Sequence, residues 1–133
     1  MEDSISKQHF KNLLSIAFAD GILDKAELDF IFKKSGKYYL LTEDIEGIVR
    51  NVIHPTPLKI EDSERRSAMM LDLIEMMFLD SEISEAQLRQ CSIFGVSMGF
   101  SNEDIENIVS QSVQKLEAGE SQEVVQKFIQ SFH

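Results

Sequence analysis

The sequence FADGILDKAEL at residues 18–28 returns sixty residues later as FLDSEISEAQL at residues 78–88. The offset then holds without a gap, so that residues 18–49 align with residues 78–109. Ten aligned pairs are identical, namely Phe18/Phe78, Asp20/Asp80, Ala26/Ala86, Leu28/Leu88, Glu43/Glu103, Asp44/Asp104, Ile45/Ile105, Glu46/Glu106, Ile48/Ile108 and Val49/Val109. The chain therefore contains an internal repeat, which spans residues 5–49 and residues 65–109.

Both copies have the spacing of apolar residues that is typical of helices. Apolar residues recur at intervals of three and four, and no run alternates with period two. The stripe of the first copy returns in the second as Phe10/Met70, Leu13/Leu73, Leu14/Ile74, Ala17/Met77 and Phe18/Phe78. The sequence thus predicts an all-α single domain over residues 1–133. Two related three-helix units are expected to pack with pseudo-two-fold symmetry, and a C-terminal helix brings the predicted total to about seven helices.

Capping residues predict where several helices begin. In a capping box, the N-cap side chain and the side chain three residues later each accept a hydrogen bond from the other residue's backbone N–H. The predicted caps are Asp24 with Glu27, Ser84 with Gln87, Thr42 and Asn102. The matching positions in the two copies indicate that their turns are structurally equivalent.

Proline and glycine mark the other boundaries. Residues 54–61 contain both prolines of the chain and predict a stiff extended linker between the copies, because proline biases its predecessor out of the helical region. A helix is predicted from residue 62 or 63 to residue 79. Gly119 is expected to end the next-to-last helix. The last helix is expected over residues 121–132, with Val124, Val125, Phe128 and Ile129 on its apolar face.

The charge of the chain restricts its partners. The chain has 13 Lys and Arg against 23 Asp and Glu, for a net charge of −10. Phosphate recognition depends on Lys and Arg, and anionic membranes attract basic segments, so neither nucleic acid nor a membrane surface is expected. No apolar run approaches the ~18 residues that membrane insertion requires. We expect a partner protein with a basic surface, and a homodimer is compatible with the sequence.

The single cysteine, Cys91, indicates a reducing compartment, because it excludes an intramolecular disulfide. The N-terminus is acidic and lacks the apolar segment of a signal peptide. The sequence therefore predicts a cytoplasmic location. At the place of Ile31 in the repeat, Cys91 is expected to be a small core residue.

An acidic turn follows the first helix of each copy. Asp20 and Asp80 end these helices, where the helix dipole disfavours a carboxylate by ~0.3–1 kcal/mol. Hydrogen bonds from the turn's own backbone or a bound divalent cation would offset that cost, and both explanations stay open. The crowded carboxylates are Asp20, Asp24 and Glu27 in the first copy and Asp80, Glu82 and Glu85 in the second.

The first copy is the better candidate for a Ca²⁺ or Mg²⁺ site. In the second copy, serine replaces Asp24 and glutamine replaces Glu27. A calcium-binding EF-hand is excluded, because two positions where its loop needs oxygen ligands would be the apolar Ile16 and Phe18.

The pattern FADGxLxxxEL of residues 18–28, placed between an apolar helix and a second helix, resembles the TerB-like family, which is associated with tellurite resistance. The resemblance covers the first copy well and the second more weakly. Asp20 and Glu27 match the family's pattern, whereas Gln87 departs from it. The resemblance implies a compact helical domain of two related units, an acidic cluster for a divalent cation, and a scaffold or sensor role in stress responses.

The sequence favours a non-enzymatic binding or scaffold module. No nucleophile elbow, P-loop or dinucleotide-binding fingerprint occurs. The enzymatic alternative is a hydrolase-type activity of clustered carboxylates, but nothing in the sequence marks a carboxylate pair as buried. His9, His54 and His133 are scattered and are expected to be exposed or partly buried.

The non-enzymatic alternative is a metal-free protein-interaction module, which would use the acidic surface or a methionine-rich helix. The four methionines of that helix are Met69, Met70, Met76 and Met77. Methionine-rich surfaces can bind varied partners. Burial of this helix in the middle of the bundle is the simpler explanation.

Overall fold

The computed structural model describes residues 4–17, 29–30, 33–34, 59–79 and 83–132. Within these ranges every regular element is a helix and none is a strand. The helices are α1 (Ser4–Ala17), α2 (Ser63–Phe78), α3 (Glu85–Met98), α4 (Asn102–Glu117) and α5 (Gln122–Gln130). Residues 29–30 and 33–34 are helical as well. The all-α prediction is confirmed for this part of the chain, and none of these helices is long and apolar enough to cross a bilayer.

Helix α2 is the centre of the bundle, because it packs against each of the other four helices. Nine of its sixteen residues are buried. Its four methionines have no solvent-exposed surface, so their predicted burial in the middle of the bundle is confirmed. Flexible thioethers suit such a position, since they fill irregular gaps between several neighbouring helices.

The repeat is visible in the burial pattern of α1 and α2. Each buried residue of α1 has a buried counterpart sixty positions later in α2. These pairs are His9/Met69, Phe10/Met70, Asn12/Asp72, Leu13/Leu73, Leu14/Ile74 and Ile16/Met76. The two helices therefore bury the same face. The chemistry differs in two pairs, because His9 corresponds to the apolar Met69 and the neutral Asn12 corresponds to the charged Asp72.

Local capping explains where α2 and α3 begin. The Asp62 carboxylate accepts a hydrogen bond from the backbone N–H of Arg65, as expected for a helix starting at residue 63. At α3, the Ser84 hydroxyl accepts from the N–H of Gln87, and the Gln87 side chain accepts from the N–H of Ser84. The predicted capping box of the second copy is confirmed.

The predicted N-cap of α4 was wrong by one residue. Ser101, rather than Asn102, has the extended backbone of an N-cap, and its hydroxyl accepts from the N–H of Asp104 at 3.1 Å. Asn102 is the first helical residue. Both residue types cap helices well, and Phe100, immediately before them, is buried.

The C-terminal helix follows its predicted boundaries closely. Helix α4 ends before Gly119, which has φ +85°, and α5 begins after its N-cap Ser121. Val125 and Ile129 are buried and Phe128 packs partly against the core. The assignment of Val124 to the apolar face was wrong, since this side chain is 46% exposed.

The end of the predicted linker is bound to the bundle. Ile60 is buried, and its backbone N–H donates to the carbonyl of Met98 at 3.1 Å. The Arg66 guanidinium donates to the carbonyl of Ile60 and lies over the ring of Phe100. These contacts attach the chain entering α2 to the C-terminal end of α3. The predicted proline link at residues 54–58 and the caps at Asp24 and Thr42 lie outside the described ranges.

Replacing Gly99 by alanine is expected to destabilise the protein by about 1–3 kcal/mol. Gly99 has φ +130°, a conformation that L-residues rarely adopt, and an added Cβ would lie 3.1 Å from Arg66 Nη1. Urea unfolding followed by circular dichroism measures the loss. Gly119→Ala is the matched control, because its Cβ would meet no atom within 4 Å and it should lose less. An equal loss at both positions would show that the Arg66 contact contributes nothing.

Candidate functional site

Most of the predicted cation ligands lie outside the residues that the structure describes. These are Asp20, Asp24, Glu27, Asp80 and Glu82. Glu85 is described and lies exposed in the first turn of α3, where the helix dipole favours its charge. Among the described residues, no three His, Cys, Asp or Glu side chains are grouped as a metal site would require. The divalent-cation site therefore stays a prediction.

A buried pair of ionisable side chains joins α1 to α2. His9 Nε2 donates to Asp72 Oδ2 at 3.0 Å, and each side chain is only 1% exposed. The two residues lie 63 positions apart, on helices that pack side by side. Because a carboxylate only accepts hydrogen bonds, the proton of this bond is on Nε2.

Lys34 extends this pair into a charged cluster, which we define as His9, Lys34, Asp72 and Glu75. The Lys34 ammonium lies 3.1 Å from Asp72 Oδ1 and 3.6 Å from Glu75 Oε1. It also lies 5.3 Å from the centre of the Phe30 ring, one helical turn earlier. A single ammonium group thus pairs with two carboxylates of α2.

The other oxygen of Glu75 connects the charged cluster to α5. Gln122, the first residue of α5, donates its side-chain N–H to Glu75 Oε2. The polar contacts of the cluster therefore link α1, the helical residues 33–34, α2 and α5. Removing one member of a buried ion pair leaves an uncompensated charge, which typically costs 3–5 kcal/mol. These elements are consequently fixed relative to one another by charge as well as by packing.

One prediction from the sequence was wrong here. His9 was expected to be exposed or partly buried, but it lies within the bundle. Asp72 was also missed from the sequence, and its side chain is 1% exposed, whereas that of Glu75 is 13% exposed. The signal for Asp72 is its spacing, three residues after Met69 and four before Met76, which puts a charge on an apolar helix face. A charge at such a position needs a buried partner.

A cleft of about 320 Å³ lies beside the charged cluster. Its apolar wall is formed by Phe30, Phe78, Leu79 and Leu116, and its polar wall by Lys33, Lys34, Glu75 and Gln122. Phe78 and Leu79 are more than one third exposed. Since Lys34, Glu75 and Gln122 are already paired with protein groups, the cleft offers a ligand mainly apolar surface and the exposed Lys33 ammonium.

The buried position of the ionisable groups limits what they can do chemically. A general base must reach the proton that it abstracts, whereas His9 Nε2 is hydrogen-bonded to Asp72 and sealed from solvent. Burial also raises the pKa of the Cys91 thiol well above its ordinary value, which disfavours the reactive thiolate. The arrangement is that of a structural ion cluster rather than of a catalytic dyad.

Comparisons with known proteins add no relative. No family model matches the chain, and neither a curated protein nor a solved structure matches it.

Replacing Asp72 by asparagine is expected to destabilise the protein by about 3–5 kcal/mol, because Lys34 loses a buried charge partner. Asparagine keeps the size of the side chain, so that the loss reports charge rather than volume. Urea unfolding at neutral pH measures it. The exposed Asp29 provides the control, since Asp29→Asn should stay within about 0.5 kcal/mol of wild type. Equal stability of the two variants would contradict the role of the cluster.

Cys91 is expected to resist thiol reagents in the native protein, because its side chain has no exposed surface and its pKa is raised by burial. A chromogenic disulfide reagent should react with it rapidly in urea and slowly under native conditions. Rapid native labelling at the rate found in urea would mean that α3 opens away from the core.

Proposed function

We propose that this protein is a non-enzymatic binding or scaffold module of the TerB-like kind, which holds Ca²⁺ or Mg²⁺ at Asp20, Asp24 and Glu27. The observation that supports a binding module over an enzyme is the mutual burial of His9 and Asp72. The side chains best suited to proton transfer are used to join helices. In the part of the chain that the structure describes, the accessible groups include apolar side chains at clefts and surface charges.

The proposal includes the two-unit architecture that the repeat predicts. Two three-helix units with pseudo-two-fold symmetry and a C-terminal closing helix would give about seven helices. The matching burial of α1 and α2 supports this arrangement. It would place Asp20 and Asp80, and therefore the two acidic turns, at equivalent positions of the two units.

The proposed cation acts by electrostatic compensation. Asp20, Asp24 and Glu27 lie within eight residues, at the predicted junction of the first two helices, where their charges repel one another. Carboxylate oxygens are the ligands that hard cations such as Ca²⁺ and Mg²⁺ prefer. A bound ion would offset the repulsion and hold the junction in one conformation, so that the module presents a fixed surface to its partner.

The setting that we propose is cytoplasmic, with a role in stress responses as the TerB-like resemblance implies. A single, fully buried cysteine supports a reducing compartment. The net charge of −10 supports a basic partner protein, since complementary charge speeds encounter and selects partners.

The cation site is tested by melting the protein in EDTA and in Ca²⁺, Mg²⁺, Mn²⁺ or Zn²⁺. An ion that binds only the folded state should raise the free energy of unfolding by roughly 2.7 kcal/mol at one hundred times its Kd. We expect this increase with Ca²⁺ or Mg²⁺ in wild type and its loss in Asp20→Asn. Asp80→Asn should retain it, because the first turn has the fuller set of carboxylates.

Glu117→Gln is the charge-matched control, since it removes an exposed carboxylate at the far end of α4. It should keep the full response to the ion. If no ion raises the stability of wild type, the cation proposal is wrong. If Asp20→Asn responds as wild type does, the ion binds elsewhere on the protein.

A further inference from the structure

Several residues that are identical in the two copies are exposed in the second copy. Ile105, Ile108 and Val109 are buried, so folding accounts for their retention. The exposed members are Phe78, Ala86, Leu88, Glu103 and Glu106. The buried Cys91, Phe94 and Met98, by contrast, differ from their counterparts Ile31, Lys34 and Tyr38. Burial alone therefore does not determine which side chains were retained.

Local helix physics explains only part of the retained exposed set. Glu103 lies in the first turn of α4, where the dipole favours an acid. Leu88 occupies the position that a hydrophobic staple with Ile83 would use, yet it remains 38% exposed. Glu106 lies beyond the first turn, is exposed, and has no ion-pair partner among the residues that the structure describes. Leu88 and Glu106 thus need a common explanation.

Leu88 and Glu106 border the same groove between α3 and α4. The groove has a volume of about 280 Å³. Its lining is Leu88, Arg89, Ser92, Glu106, Val109 and Ser110. Three of these six side chains, Leu88, Glu106 and Val109, are identical in the first copy as Leu28, Glu46 and Val49. The two copies thus share an apolar pair and one carboxylate in sequence, of which Leu88 and Glu106 are exposed in the second copy, whereas Arg89 is replaced by Asp29.

We propose that this groove binds an amphipathic, basic peptide segment of a partner protein. An apolar side chain of the peptide inserts between Leu88 and Val109, and a lysine or arginine one turn away pairs with Glu106. This deepens the proposed function and rests on it, because it names the partner surface of the binding module. The net charge of −10 favours a basic partner and opposes a second copy of this chain.

The probe is a fluorescent peptide of about 14 residues, or four helical turns, with leucine at positions i, i+3, i+4 and i+7 and lysine elsewhere. A second peptide has the same leucines and glutamate in place of lysine. Fluorescence anisotropy at physiological salt measures the Kd. The lysine peptide should bind and the glutamate peptide should not. Both are measured in EDTA, so that the result does not depend on the cation site.

The variants are expected to change the Kd of the lysine peptide in opposite directions. Leu88→Ser and Glu106→Lys should each weaken binding about tenfold or more, which corresponds to 1.4 kcal/mol. Arg89→Glu should tighten binding, because it removes a like charge from the lip of the groove. If binding came only from a general attraction between a basic peptide and an acidic protein, Leu88→Ser and wild type would have the same Kd.

Matched controls come from the same helices. Ile93→Ser removes an aliphatic side chain of α3 that is 53% exposed and does not line the groove. Glu103→Lys makes the charge change of Glu106→Lys one turn earlier on α4. Both should change the Kd by less than about twofold, the usual scale for surface sites. Circular dichroism melts verify that every variant is folded.

Three results would overturn the proposal: no binding of the lysine peptide, equal weakening by Glu103→Lys and Glu106→Lys, or no effect of Leu88→Ser. Sedimentation of the free protein, which measures its oligomeric state, could give a fourth contradicting result. A dimer that Leu88→Ser dissociates would assign the groove to a second copy instead. A failed cation test with a successful peptide test would leave the groove as the functional surface and remove only the metal site.

Discussion

The structure depends on the pairing of one buried charge, the carboxylate of Asp72 on the central helix α2. A helix that packs against four others has little surface left for water, so a carboxylate there must find its partners inside the protein. Asp72 has two such partners, which are His9 on α1 and Lys34. Those two contacts fix the register of α1 on α2 and dock residue 34 beside them. Apolar packing alone would leave helices freer to slide or rotate.

The charged cluster also separates the protein's interior chemistry from its surface chemistry. A histidine beside an aspartate is a familiar catalytic pair, but here both side chains are shielded and serve to connect helices. The described surface, by contrast, has half-exposed leucine and phenylalanine side chains at clefts, and the chain has an excess of carboxylates. This arrangement is the basis of the proposed binding role, because contact area and charge are the interactions that such a surface offers to a partner.

What could be predicted from the sequence was what local interactions determine. Apolar periodicity and caps placed the ends of α2 and α5 and the start of α3 within a residue or two, because a helix start depends on neighbours only three positions away. Ser101 and Asn102 are adjacent residues of similar capping strength, so the sequence alone could not choose between them. The pairing of His9 with Asp72 joins residues 63 positions apart. It arises only once α1 and α2 have packed, and no local pattern contains it.

The internal repeat and the charged cluster together explain why the two halves need not be interchangeable. At the repeat offset, Lys34 corresponds to Phe94, and Asp72 corresponds to Asn12. The ion pair between Lys34 and Asp72 therefore has no charged equivalent at the reciprocal positions. If the two halves exchanged places in the bundle, Asp72 would be buried without the Lys34 ammonium, and Lys34 would lie without the carboxylates of Asp72 and Glu75. Such unpaired charges would cost several kcal/mol. A duplicated helical unit has two nearly equivalent ways to pack, and one asymmetric buried charge selects between them.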